Sequence, residues 1–276
     1  MSPEPHQPVA VVSGGSSGIG LECARQLCTR GYRVTILARD VVRLESARTS
    51  ILASTGQTVA IRRLDVGDAQ GCGQAIAEIT REHGGIDWLI TSAGIVEPGL
   101  FENLTLESHR RQMETNYFGT LNLVAPTARI MSGCGGGRIT LIASGAAFIG
   151  IAGYSAYAPS KFAVRALGEV LRVELAPQGI SVSVAFPPDT DTPQLAEEIL
   201  LRPEVTRRIA EGGGRLSAQH VAERLVADAQ AGHFMLTPSL RMAAFGWLHS
   251  LHAAFFRKKQ ERLMRQIVRK QTDRAG

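Results

Sequence analysis

Apolar residues along this chain gather into short, β-branched runs: "VAVVS" (9–13), "YRVTILA" (32–38), "VAIRRLDV" (59–66), "IDWLITSAG" (86–94), "GRITLIAS" (137–144) and "ISVSVAFP" (180–187). Their near-continuous hydrophobicity, without polar alternation, predicts strands covered on both faces. Between them lie amphipathic helical patterns such as "GIGLECARQLCTRG" and "AQGCGQAIAEITREHGG", with Gly31 and Gly84–Gly85 where helices should stop. Strands alternating with helices predict an α/β fold: one doubly wound Rossmann domain, a parallel sheet flanked by helices, over residues 1–235. No internal repeat or long linker interrupts it.

Two stretches break the pattern. "FPPDTDTP" (186–193) follows the sixth run and opens a segment, 188–215, expected to form a substrate loop. Proline cannot donate to a ladder and an unpaired carboxylate resists burial, so the stretch is predicted not to pair as a strand. "MAAFGWLHSLHAAFF" (242–256) runs without Lys, Arg, Asp or Glu into "RKKQERLMRQIVRK". It falls short of the roughly 20 residues a spanning helix needs. Residues 236–276 are therefore expected to form an amphipathic helical extension, either interfacial with basic flanks or buried in a dimer.

Charge and cysteines change the picture little. The net charge is +5, but residues 257–276 hold eight Lys/Arg against Glu261 and Asp273, so the remaining chain is near −1. The basicity belongs to the tail, and nothing in the main domain points to nucleic acid. Cys23, Cys28, Cys72 and Cys134 are dispersed without a CxxC pair, which fits buried thiols in a reducing compartment and no metal site. The N-terminal residues contain no apolar h-region, so a cytoplasmic protein with peripheral membrane contact through 242–270 is expected.

The first run and first helix enclose "SGGSSGIG", which places Gly14, Gly18 and Gly20, with Ser16, Ser17 and Ile19 between them, at a strand-to-helix turn. A pyrophosphate needs bare backbone and a helix N-terminus, and this spacing in this context predicts a dinucleotide site. Twenty residues on, Asp40 stands beside Arg39. An acid there would hold a ribose 2′-hydroxyl; Arg39, first into the loop, is better placed for a 2′-phosphate, so NADPH is the expected cofactor. Asp65, followed by Val66, ends the third run, to meet the adenine or to cap the next helix.

Tyr157 and Lys161 lie four apart at the start of an amphipathic helix, so both project from one face. Pro159 is tolerated there because the helix is only beginning. An ammonium near a phenol favours phenolate and is expected to lower the tyrosine pKa. Tyr154 has no such lysine. Ser144, at the end of the fifth run, is placed to hydrogen-bond a substrate carbonyl. Asn116 falls inside a helical pattern, either bonding locally or holding a water that links Lys161 to solvent.

Together, Gly14-x-x-x-Gly18-x-Gly20, Asn116, Ser144 and Tyr157-x-x-x-Lys161 resemble the short-chain dehydrogenases/reductases over about residues 8–235. The resemblance implies cofactor contacts at Ala93 and Gly94 in "TSAG", although Thr91 and Ser92 depart from the family's Asn-Asn. It also implies a cofactor lip at Pro187, Thr190 and Thr192, and a homo-oligomer, dimer or tetramer.

The string "YAPSKFAVRALGEVLRVELAPQGISVSVAFPPDTDTP" and the segment 216–234 are similar to 3-ketodihydrosphingosine reductases. That resemblance implies NADPH-dependent reduction of a 3-keto group on a long-chain base, with Asp189 and Asp191 offsetting the substrate ammonium or else capping the next helix. Eukaryotic members carry a membrane-spanning N-terminus; eight residues precede the first run here, which leaves the C-terminal segment as the expected lipid contact. Another lipidic ketone (a 3-oxoacyl thioester, a steroid, retinal) and a non-catalytic cofactor-binding, membrane-interacting protein are the alternatives.

Overall fold

The computed structural model describes residues 7–211 and 214–275; residues 1–6, 276 and two positions of the expected substrate loop lie outside the described residues. The chain runs β1 (Val9–Ser13), α1 (Gly18–Thr29), β2 (Arg33–Ala38), α2 (Val41–Thr55), β3 (Ala60–Arg63), α3 (Ala69–His83) and β4 (Trp88–Thr91). There follow α4 (Leu106–Met113), a π turn (Glu114–Phe118), α5 (Gly119–Gly133), β5 (Gly137–Ile142), α6 (Tyr157–Glu174) and β6 (Ile180–Ala185). The last third contains β7 (Asp189–Asp191), α7 (Pro193–Leu201), α8 (Glu204–Ala210), β8 (Arg215–Ser217), α9 (Ala218–Gln230), β9 (Met235–Leu236) and α10 (Leu240–Ala275).

Seven strands form one parallel sheet in the order β3-β2-β1-β4-β5-β6-β9. Period-two alternation divides its side chains between two cores. Val9 and Val11 face α3, α5 and α6, packing with Ile76, Leu123 and Val164. Ala10 and Val12 face α1, α2 and α9, packing with Leu27, Leu44 and Leu225. Strand order reverses direction between β1 and β4, and open sheets of this kind bind ligands at that switch, beyond the strands' carboxyl ends.

Two sequence expectations change. Residues 189–191 do pair: β7 lies parallel to β8, Asp189 opposite Arg215 and Asp191 opposite Ser217. Pro187, Pro188 and Pro193 all fall outside the strand, so none of its three amides is missing. The seventh strand, two residues long, carries no pattern to read. And α10, the expected helical extension, packs on the domain it follows: Gln260 accepts from the Ala152 amide at 2.8 Å and donates to the Gly150 carbonyl at 3.0 Å, while Ile267 packs with Val205 and Ile209. Among the described residues no helix is long and apolar enough to cross a membrane. Cys23, Cys28 and Cys72 are buried free thiols as expected, whereas Cys134 is exposed.

Candidate active site

A cavity of about 1030 Å³ opens at the carboxyl ends of the central strands and collects almost every residue singled out in the sequence. At one end is the turn between β1 and α1. Gly14 sits at φ +66°, and a Cβ there would stand 2.8 Å from the Ala93 amide nitrogen; a Cβ on Gly20 would meet the Gly14 carbonyl oxygen at 2.4 Å. Only glycine lets these backbones approach. The first helical turn of α1 has no side-chain cap, which leaves amide donors for an anion, and Ser16, Ser17, Gly18 and Ile19 line the cavity beside them. A cradle that any Cβ would fill, at a helix N-terminus, fits a dinucleotide pyrophosphate.

The order of Arg39 and Asp40 resolves physically. Asp40 is the N-cap of α2, accepting from the Arg43 amide at 3.1 Å, with its other oxygen 3.8 Å from the Arg43 guanidinium. Its carboxylate is thus committed to the helix, and Arg39 and Arg43 both line this end of the cavity. Arg43 was not legible as a site residue, because one turn into a helix it reads as a solvated charge. Asp65 and Val66 border the same region, but Asp65 holds its own turn, accepting from Gly67 at 3.0 Å; the cap of α3 is Asp68. Ala93, Gly94, Pro187, Thr190 and Thr192 line the middle. Thr192 caps α7 through the Leu195 amide at 3.1 Å, and a Cβ on Gly18 would stand 2.9 Å from its methyl group, so the glycine turn and this lip close against each other.

At the centre, Tyr157 opens α6 and Ser144 ends the β5 segment. The nearby Ser144 hydroxyl pulls the phenol's pKa down, but burial and the Glu198 charge dominate and hold Tyr157 well above the usual tyrosine range. Lys161 is 6 % exposed, donates to the Ile142 carbonyl at 3.0 Å, and places Nζ 5.7 Å from the Tyr157 ring centroid. Burial pulls its pKa down to about 8. Burial and Glu198 outweigh the lowering expected of Lys161, and the phenol is kept protonated.

Asn116 lies fully buried in the π turn. Its amide donates to the Ile95 carbonyl at 3.0 Å and to Ser160 at 2.9 Å, and its oxygen accepts from the Ile95 amide at 2.8 Å. Both donors are occupied, so the side chain pins the loop after β4 beside Lys161 instead of presenting a free amide.

The two aspartates part company. Asp189 lines the cavity but is forked by Arg202 at 2.6 and 2.8 Å; Asp191 does not line it, and pairs with exposed Arg215. Neither caps α7. Arg202 also reaches Glu198, which accepts from the Tyr154 hydroxyl too. Sequence reasoning missed Glu198 and Arg202, since "EEILLR" reads as an ordinary amphipathic helix. It passed over Tyr154 as a catalytic group, and that phenol is indeed held by Glu198. The far wall is mostly apolar, with Ile149, Ile151 and Ile209 beside Phe245, Leu248 and Phe256 of α10, and Arg241, Lys259 and Gln260 of the same helix also line it. No cluster able to hold a metal ion occurs among the described residues.

A family model described as short chain dehydrogenase matches residues 8–200. The 3-dehydrosphinganine reductase of Danio rerio is 37% identical over 228 residues, 81% of this chain and 69% of that protein. The 3-ketodihydrosphingosine reductase of Mus musculus is 36% identical over 228 residues, with the same coverage of 81% and 69%. Among solved structures, a short-chain dehydrogenase from Sphingobium yanoikuyae in complex with NADPH superposes with a TM-score of 0.76 at 25% identity, over 90% of this chain and 95% of that one.

Proposed function

Since the chain belongs to the short chain dehydrogenases, we propose that it reduces the 3-keto group of a long-chain 2-amino ketone, 3-ketosphinganine, to the alcohol, using NADPH. The observation that carries this is the cavity itself, whose three regions match the three parts of such a reaction. A glycine cradle with two arginines takes the cofactor, Tyr157 and Ser144 take the ketone, and the apolar wall of α10 takes the chain. Relatives that bear the name of this activity match over four-fifths of the chain.

The glycine turn with Arg39 and Arg43 would hold NADPH, which would supply the hydride for the carbonyl carbon. Ser144 donates a hydrogen bond to the carbonyl oxygen and orients it. Tyr157, held protonated, gives its proton to that oxygen as charge develops there. Lys161, anchored on Ile142, presents a positive charge beneath the tyrosine and offsets the phenolate that remains. Asn116 keeps the loop at residue 95 in register with Lys161 and acts as a positioning residue.

The outer side of α10 extends the reading to a lipid surface. Leu240 and Trp247 are 89% and 82% exposed, and Lys258 and Arg265 are exposed too. Their spacings of seven, eleven and seven residues place the four on one helix face at 100° per residue, apolar towards one end and basic towards the other. A helix so built contacts an anionic bilayer while its inner face walls the cavity, which brings the site to a substrate that resides in lipid.

The test is NADPH oxidation by the purified protein with 3-ketosphinganine in mixed micelles, run beside NADH and an acetoacetyl thioester. Turnover with ketosphinganine and NADPH is expected. Turnover with the thioester alone would keep the fold and the tyrosine chemistry but discard the sphingoid substrate.

A further inference from the structure

Glu198 projects from α7 into the cavity and is 8% exposed, a carboxylate more than nine-tenths buried. Its recorded contacts converge on one oxygen: the Tyr154 hydroxyl and the Arg202 guanidinium, at 2.7 Å, both bond Oε1. Oε2 receives none of them. Arg202 is shared, because its other face forks Asp189 at 2.6 and 2.8 Å. Two carboxylates thus face one guanidinium, and with both ionised the group carries one negative charge in excess, inside a site where isolated charge is costly. Tyr154 ties the group to the reaction centre, its ring centroid 5.4 Å from that of Tyr157. Lys161, 5.7 Å from the Tyr157 ring centroid, is bonded to the Ile142 carbonyl and is not part of the group. Burial pushes Glu198 upward in pKa against the pull of Tyr154 and Arg202, as for a carboxylate still short of a counter-charge.

We propose that Glu198, through its unpartnered Oε2 and backed by Arg202 and Asp189, receives the ammonium adjacent to the substrate ketone and is the residue by which the site selects 2-amino ketones over neutral ketones. The inference rests on the substrate reading above and moves the ammonium contact from the Asp pair of the lip to α7. Asp191 has no part in it, being paired outside the cavity. Arg202 keeps both carboxylates in place and neutralises only one of them, so the ligand completes the set. An incoming ammonium also offsets the field that Glu198 exerts on Tyr157, so binding the right substrate eases release of the tyrosine proton.

The experiment is calorimetric titration of the protein saturated with NADP⁺, using a decyl-chain 2-amino-1,3-diol and the same 1,3-diol lacking the amine. The unmodified protein is expected to bind the amine at least about tenfold more tightly, a modest value for a partly buried charge pair. In Glu198→Gln that ratio should fall towards unity, and Glu198→Asp should restore part of it. Asp189→Asn, which frees Arg202 to neutralise Glu198, should lower it as well and serves if Glu198→Gln does not fold; near-ultraviolet circular dichroism establishes folding. An unmodified protein indifferent to the amine, or a ratio unchanged in Glu198→Gln and Asp189→Asn, overturns the proposal. Turnover of the amino ketone, measured separately, decides the substrate reading: amine preference without reduction would leave Glu198 standing and remove that reading.

Discussion

Burial disfavours the charge on Lys161 and brings it to titrate near 8, whereas burial and the Glu198 charge keep Tyr157 protonated well past that. The signs set the pH profile of reduction. Below about 8 the lysine is an ammonium and the tyrosine a proton donor, both in the required form. As pH rises through 8 the ammonium is lost first, so kcat/KM for the ketone should fall on an alkaline limb near 8, at about tenfold per pH unit. Lys161→Arg, which stays charged, should remove that limb whatever its absolute rate; a limb that persists belongs to another group. Tyr157→Phe should cost about 10²–10⁴-fold in kcat, with NADPH binding retained in a fluorescence titration. At the cofactor end, Arg39→Ala with Arg43→Ala should raise the KM for NADPH about 10–100-fold, as loss of charge-assisted bonds to a phosphate requires, while the KM for NADH stays put. An equal rise for both cofactors would show that the arginines do not read the phosphate. Tyr157, Lys161, Ser144 and the glycines were legible because their chemistry depends on spacing within one strand-to-helix turn or one helix. Glu198, Arg202 and Arg43 were not, because each reaches the cavity from an element whose sequence is that of any solvated helix.

Strands were legible as short β-branched apolar runs, most of them buried on both faces, and the six runs each contain an observed strand, the half-exposed β3 included. Met235–Leu236 escaped because two residues carry no period, and β7 escaped because its partner, Arg215–Ser217, is distant in sequence and equally polar. The C-terminal pattern was read correctly as helical but not as packed. Gly246 allows the helix to lie against Phe148, where a Cβ would come within 2.8 Å of the ring, and Met242 is buried against Gly145. Removing residues 242–276 would therefore open the core as well as the cavity wall, so truncation is a poor probe of what the tail contacts. Gln260→Ala is a sharper one. It deletes the bonds to the half-buried Ala152 amide and the exposed Gly150 carbonyl, and should destabilise the protein by about 0.5–1.5 kcal/mol in urea unfolding. With α10 loosened, the KM for a long-chain ketone should rise more than that for a short-chain one. Equal effects on both would mean that the helix supports the fold without lining the chain's path.

The excess basic charge of the whole molecule sits on its last twenty residues, of which Lys258 and Arg265 continue the face that exposes Leu240 and Trp247. A second apolar surface lies elsewhere, where Phe118 at the π turn and Phe162, Val170 and Val173 of adjacent α6 are 42%, 38%, 51% and 72% exposed. These two surfaces have different chemistry and suit different occupants. The α6 surface, with Arg172 between Val170 and Val173, has no separate cationic end and would suit a second copy of the chain. The α10 stripe, apolar then cationic, fits an anionic lipid surface, whose attraction falls with salt while its apolar part does not. Flotation with vesicles containing phosphatidylserine should therefore retain the protein at low salt, weaken in about 0.5 M salt, where the screening length drops to a few ångströms, and fail with purely zwitterionic vesicles. Leu240→Ser with Trp247→Ser should abolish flotation and leave reduction of a short-chain amino ketone intact, because neither residue is buried in the core. Lys258→Glu with Arg265→Glu should abolish it at low salt alone. If both double variants still float, lipid contact lies elsewhere on the molecule, and light scattering of the same variants then decides whether α10, instead of α6, is the face that a second subunit covers.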